Sequence, residues 1–304
     1  MASETGIIFS LHSGLTCRPG IVEPFIVTLG LLLLTALFFV TGLLALRKIG
    51  FDQRNGPVRP GIRIFLVGIF CNTGLLIASI GVLFYAGYTP RDFGLALSNT
   101  DIIVMLGLVT AVVVLSGLFR HFPRSGNGFE RSHGTSQNES SDATLGKSSH
   151  LDASSRDGAP AKRYRFHPGL FAISLLALTA GALQEEVIFR VGFWLEWASL
   201  GWPFALILSS VFFAAVHLIT TGSNRWKLLS WFSGGVGLFV VYILSGSLWL
   251  VAIIHLARNV TNMLWLKPVP GISPLSRPVS DRKLGTSAVC MAMVQVLVCL
   301  FAYS

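Results

Sequence analysis

Long apolar runs, broken by short basic or polar stretches, organise this chain. Pro24 to Leu46 is uncharged and mostly apolar for 23 residues and ends at Arg47 and Lys48. At about 1.5 Å per residue such a helix crosses a hydrocarbon core of about 30 Å with some tilt. A second run spans about Ile64 to Tyr88, with Asn72 as its only strongly polar residue, and a third spans Ile102 to Phe119, stopped by Arg120, His121 and Arg124. Further along, the pattern predicts helices over about Phe171–Trp197, Pro203–Thr220, Leu228–Leu244 and Leu248–Leu266, and a shorter one over Ser287–Tyr303. Gly222 to Lys227 reads as a turn, Ser245 to Ser247 as a tight turn, and Lys267 to Thr286, with four prolines, as a loop. The expected fold class is an all-α polytopic membrane protein with about eight transmembrane helices. Gly234, Gly235 and Gly237 allow close helix approach. Trp194, Trp197 and Trp202 mark a membrane interface, where Glu196 is also expected.

Between the third and fourth runs the material changes. Arg120 to His167 is rich in Ser, Gly and charged residues, so a disordered cytoplasmic linker is expected. The chain thus divides into three N-terminal transmembrane helices (1–119), the linker (120–167), a core that carries the chemistry (168–266), and a loop with the last helix (267–304). Met1 to Val22 lacks the basic n-region and cleavage site of a signal peptide.

Composition agrees with the pattern: 52% of residues are hydrophobic and 12% charged, which argues against an ordinary soluble core. A net charge of +9 raises the question of nucleic acid, and the placement of the charge answers it. Five basic residues lie between Arg47 and Arg63, eight in the linker, two at Arg225 and Lys227, and four in the last loop. These nineteen of 23 all fall on one side of an eight-span arrangement; only Arg18 and Arg91 fall on the other. The basic side is expected in the cytoplasm, with both termini outside. The charge is therefore topological, with the lipid bilayer and not nucleic acid as its partner. The four cysteines, Cys17, Cys71, Cys290 and Cys299, show no metal-ligand spacing and read as small apolar residues.

Against this background Gln184-Glu185-Glu186-Val187-Ile188-Phe189-Arg190 stands out. Charges inside a membrane helix cost about 3 kcal/mol each on insertion scales and are kept only with partners. Glu186 and Arg190, four apart, share a helix face and can pair, while Glu185 points about 100° away. Two further polar sets interrupt apolar runs: Phe213-x-x-x-His217, and His255-x-x-x-Asn259, whose ends again share a face. A glutamate, two histidines and an asparagine on three helices can orient and activate water.

Glu-Glu-x-x-x-Arg, Phe-x-x-x-His and His-x-x-x-Asn, in that order on successive apolar segments, resemble the CAAX-processing and bacteriocin-processing (CPBP or Abi) family of intramembrane proteases. The resemblance covers about Phe171 to Leu266. One departure is that Val191 separates Arg190 from Gly192, where the family commonly has Gly directly after the Arg. The resemblance implies an intramembrane endopeptidase (a hydrolase) with Glu185, His217, His255 and Asn259 as catalytic residues and Glu186, Arg190 and Phe213 in support.

Hydrolysis of a peptide needs a water, a base and donors for the oxyanion. Glu185 is the candidate base, His217 can hold the water, and His255 and Asn259 can hold the water or stabilise the oxyanion. The family is described both as metal-dependent and as a glutamate-type protease without metal. Glu185, His217 and His255 would suit a divalent metal such as zinc, but the His-Glu-x-x-His zinc helix is absent, and the reading leans to direct activation of water by Glu185. A buried site implies a membrane-associated or lipid-anchored peptide or protein substrate, with the cell membrane as the expected location. Two alternatives stay open: a membrane scaffold, and an ion or proton pathway. A transporter usually shows an internal repeat, and none is visible here.

Overall fold

The computed structural model describes residues 24–48, 62–121, 166–221, 224–266, 269, 272–273 and 279–304. The linker from 122 to 165, the N-terminal 23 residues with Cys17, and most of the basic loops lie outside the described residues.

Eight principal helices build the described part, with no strand among the described residues. They are α1 (Pro24–Lys48), α2 (Ile62–Tyr85), α3 (Asn99–His121), α4 (Pro168–Leu200), α5 (Trp202–Thr221), α6 (Arg225–Ser245), α7 (Leu248–Thr261) and α8 (Asp281–Tyr303). All but α7 are long and apolar enough to cross a membrane. The α-helical part of α7 has 14 residues and continues as a π-helical turn over Asn262–Leu266. The chain is an all-α polytopic membrane protein, as the alternation of apolar runs and basic stops predicts.

Lipid-facing surfaces show in the exposed residues. On α1, Leu29, Leu33, Leu37, Val40 and Leu44 recur at helical spacing and are exposed, while Val27 and Leu31 are buried. An apolar stripe of this length is stable only in a nonaqueous surrounding.

The helices alternate in direction, and contacts between their ends define two rims. At one rim the Arg120 guanidinium at the end of α3 donates to the Trp265 carbonyl, Asn224 before α6 donates to Asp281 of α8 at 2.8 Å, and Arg282 of α8 stacks on Trp226 of α6. At the other rim Tyr303 of α8 donates to Asp101 of α3, and Trp197 of α4 donates to Thr28 of α1 at 2.8 Å. There Leu248 also donates to the carbonyl of Gly94, whose left-handed backbone (φ 65°) abuts the carbonyl of Gly246; a side chain at 94 would strike it. Among the described residues, Lys48, Arg63, Arg120, Arg225, Lys227, Arg282 and Lys283 belong to the first rim and Arg91 to the second.

Helix α6 lies at the centre. Gly235 faces Ser210 of α5, Gly237 faces Ala292 of α8, and Gly234 faces Arg258 of α7. One small-residue run therefore admits three neighbours.

Several sequence expectations need correction. Helix α8 starts at Asp281, six residues before the expected Ser287, because Ser280 caps it by accepting from the amide of Lys283. Helix α3 runs on through Arg120 and His121, which the linker was expected to claim. Glu196 is only 3% exposed, beside Trp197, whose indole bonds Thr28 at the second rim.

Candidate active site

Helix α4 is not α-helical throughout. Pro168–Glu186 is followed by a π-helical stretch, Val187–Gly192, in which every residue is buried. Wider i→i+5 turns inside α-helices recur at functional sites. The stretch begins directly after the two glutamates and carries Arg190.

Glu186 and Arg190 are both fully buried and form an ion pair, Nε to Oε2 at 3.0 Å. The other oxygen, Oε1, accepts from His255 Nδ1 of α7 at 2.5 Å. The sequence reading pairs Glu186 with Arg190 alone; it misses His255. The Arg190 guanidinium lies over the ring of Phe213, 4.6 Å from its centroid, a cation–π contact made in a dry setting. Phe213 meets Phe189 edge-on as well. It thus braces the α4 arginine from α5.

Glu185 points the other way, and its side chain keeps about a quarter of its exposure (24%). Its Oε2 lies 3.7 Å from His217 Nε2 and 3.6 Å from His255 Nε2. These are too long for direct hydrogen bonds. The same Oε2 is buried and has no hydrogen-bond partner among the described residues. The tautomers follow from the partners. His217 Nδ1 faces the carbonyl of Phe213 at 2.8 Å, and His255 Nδ1 faces Glu186. Both partners are acceptors, so each Nδ1 carries a proton, and in a neutral ring the Nε2 lone pair faces Glu185. Three acceptors converge with a gap between them, which is the setting for a bridging water.

His217 sits near the C-terminal end of α5, with its Nε2 3.7 Å from Glu185 Oε2. Its ring also stacks on Trp231 of α6, centroids 4.2 Å apart. Sequence reasoning missed Trp231; nothing in its local spacing distinguishes it from an interfacial tryptophan. Asn259 lies one turn beyond His255 on α7 and is half-buried. Among the described residues no group of three or more His, Cys, Asp or Glu is spaced to hold a metal ion; Glu185, His217 and His255, the set that would suit one, converge at 3.6 to 3.7 Å.

A cavity of about 430 Å³ reaches Glu185 and His217. Its walls are apolar, with Phe38 and Phe39 of α1 and Phe65 of α2, and Asn72, Gln184 and Glu185 supply polar groups. Two of the four helices around it, α1 and α2, come from the N-terminal part.

All three motifs fall in one contiguous segment, and residues 167–261 match the family model for Rce1-like proteins, type II CAAX prenyl endopeptidases. The resemblance to the CAAX-processing family therefore holds over that segment, which begins at the N-cap of α4 and ends with α7. No curated protein and no solved structure matches the chain.

Proposed function

We propose that the chain is an intramembrane endopeptidase in which Glu185 activates water against a peptide bond. One observation carries the reading: a buried carboxylate oxygen without a hydrogen-bond partner among the described residues, flanked at 3.6 and 3.7 Å by two imidazole Nε2 atoms. A water there gives one O–H to Glu185 and the other to a histidine. Glu185 takes the water's proton as the hydroxide oxygen bonds to the scissile carbonyl carbon. Asn259, one turn from His255, donates its amide N–H to the resulting oxyanion. Glu185 then returns the proton to the departing nitrogen as the C–N bond breaks. Glu186 fixes the tautomer and the ring position of His255, in the way a carboxylate orients a catalytic histidine elsewhere.

The substrate is a membrane-associated or lipid-anchored peptide or protein tail. The site is reached through an apolar cavity inside a helix bundle, which a folded soluble domain does not enter. The match to prenyl endopeptidases favours a peptide behind a prenylated cysteine, and the cell membrane is the proposed location.

The test compares membrane proteomes of cells lacking the protein with cells carrying only Glu185→Gln. The same uncleaved membrane species should accumulate in both. A Glu185→Gln protein that restores the wild-type pattern would overturn the protease reading in favour of a scaffold.

A further inference from the structure

The family match starts at residue 167, yet much of the cavity wall lies before it. Helices α2 and α4 run parallel, and small residues set their register: a Cβ on Gly68 would touch Ala177 at 4.0 Å, and one on Gly181 would touch Asn72 Nδ2 at 3.0 Å. Asn72 therefore lies level with Gly181. Gly181 and Glu185 are four apart and share a face of α4. The carboxamide of Asn72 is then one helical turn, about 6 Å, from Glu185 along the helix axis. It sits on the side of the basic rim, in the direction where Ile64 and Phe65 also line the cavity.

Asn72 is half-buried, lines the cavity, and makes no side-chain hydrogen bond among the described residues. A group with both a donor and an acceptor at a cavity wall matches the N–H and C=O of an extended peptide. Such a peptide advances about 3.3 Å per residue, so 6 Å is about two residues from the attacked carbonyl.

We infer that Asn72 positions the substrate: its carboxamide hydrogen-bonds the peptide backbone about two residues from the scissile bond, between walls formed by α1 and α2. The segment it holds is extended and apolar. This rests on the reading of Glu185 as the water-activating base, and it assigns a role to the N-terminal helices outside the matched segment.

The neighbouring Cys71 lines the same cavity and reports its occupancy. The experiment uses the full chain in lipid nanodiscs, with Cys17→Ser, Cys290→Ser and Cys299→Ala so that Cys71 alone reacts with a maleimide. The probe is a fluorogenic peptide carrying a farnesylated cysteine followed by three aliphatic residues. In the Glu185→Gln background the probe should protect Cys71 without being cleaved. Adding Asn72→Leu should raise the half-protecting concentration about tenfold, the loss of a hydrogen bond of ordinary strength. In the active enzyme Asn72→Leu should lower kcat/KM by the same factor, chiefly through KM, and Asn72→Gln should restore part of it. If Asn72→Leu fails to accumulate, Gly181→Ala displaces the amide with Asn72 in place and should give the same shifts. Cleavage by the wild type with kinetics and protection unchanged in these variants overturns the inference and leaves the protease reading standing. Protection that depends on Asn72, without cleavage by the wild type, keeps Asn72 as a peptide contact but overturns the protease reading and with it the placement of Asn72 beside a scissile bond. Neither cleavage nor protection in the wild type overturns both.

Discussion

His255 Nδ1 donates to Glu186 Oε1 at 2.5 Å, and the same carboxylate holds Arg190 at 3.0 Å through Oε2. One buried glutamate thus ties the π-helical stretch of α4 to the histidine of α7. Its neighbour Glu185 faces the gap between His255 and His217. The two adjacent acids differ because successive residues on a helix point about 100° apart.

This difference predicts opposite outcomes for the two conservative substitutions. Glu185→Gln should leave the amount of membrane protein and its melting temperature near wild type and lower kcat about 10²–10⁴-fold, the range of a lost general base. Glu186→Gln should break a fully buried ion pair, at a cost of about 3–5 kcal/mol, and also loosen His255. Immunoblots of membrane fractions and thermal unfolding in detergent check it. Equal loss of protein in both variants would contradict the division of roles.

Much of this was legible in the sequence, for definite reasons. Apolar runs closed by Lys and Arg give the helices, because length and desolvation cost fix what spans a bilayer. The i, i+4 spacing gives Glu186 with Arg190. What stayed hidden is the register between helices. The Glu186–His255 bond joins residues 69 apart, and Trp231 on His217 joins two helices with no shared motif. Asn72 was visible as the only strongly polar residue of its run, but its neighbour Gly181 on α4 was not.

The stack of Trp231 on His217 predicts a kinetic effect with little loss of protein. Trp231→Leu keeps an apolar side chain but removes the flat surface 4.2 Å from the imidazole. His217 then loses that stacking surface, while its contacts with the Phe213 carbonyl and the Phe213 ring remain. A misplacement of about 1 Å can lower a rate up to 10²-fold; kcat should fall about tenfold or more. Trp231→Phe, which retains a ring, should lie between. Steady-state kinetics on a cleaved membrane peptide decide this, and wild-type kcat in Trp231→Leu would remove Trp231 from the site.

Topology follows from the rims. Seven basic residues of the described chain lie at one rim and Arg91 at the other. The positive-inside bias predicts that the first rim lies in the cytoplasm. Reporter fusions at Ser148 should read as cytoplasmic and at Leu97, before α3, as external. An external signal from Ser148 would invert the arrangement, and with it the side from which the substrate reaches Asn72.

The last prediction concerns Arg258, a buried cation on α7 only 8% exposed. Its Nη2 donates to the Ser230 carbonyl at 3.1 Å, and its guanidinium rests on the bare backbone of Gly234. A Cβ there would come within 2.2 Å of Nη1 and 2.8 Å of Cζ. A long side chain at a surface swings aside cheaply, but this one is packed between α6 and α7 and carries a charge. Gly234→Ala should therefore destabilise by about 1–3 kcal/mol, as overpacking does. Gly107 on α3 provides the control, because a Cβ there meets nothing within 4 Å. Gly107→Ala should be neutral or slightly stabilising, by up to about 1 kcal/mol, since alanine is the better helix former. Thermal unfolding of the two variants in the same detergent separates them. Equal melting temperatures would mean that Arg258 moves freely and that Gly234 is not its seat.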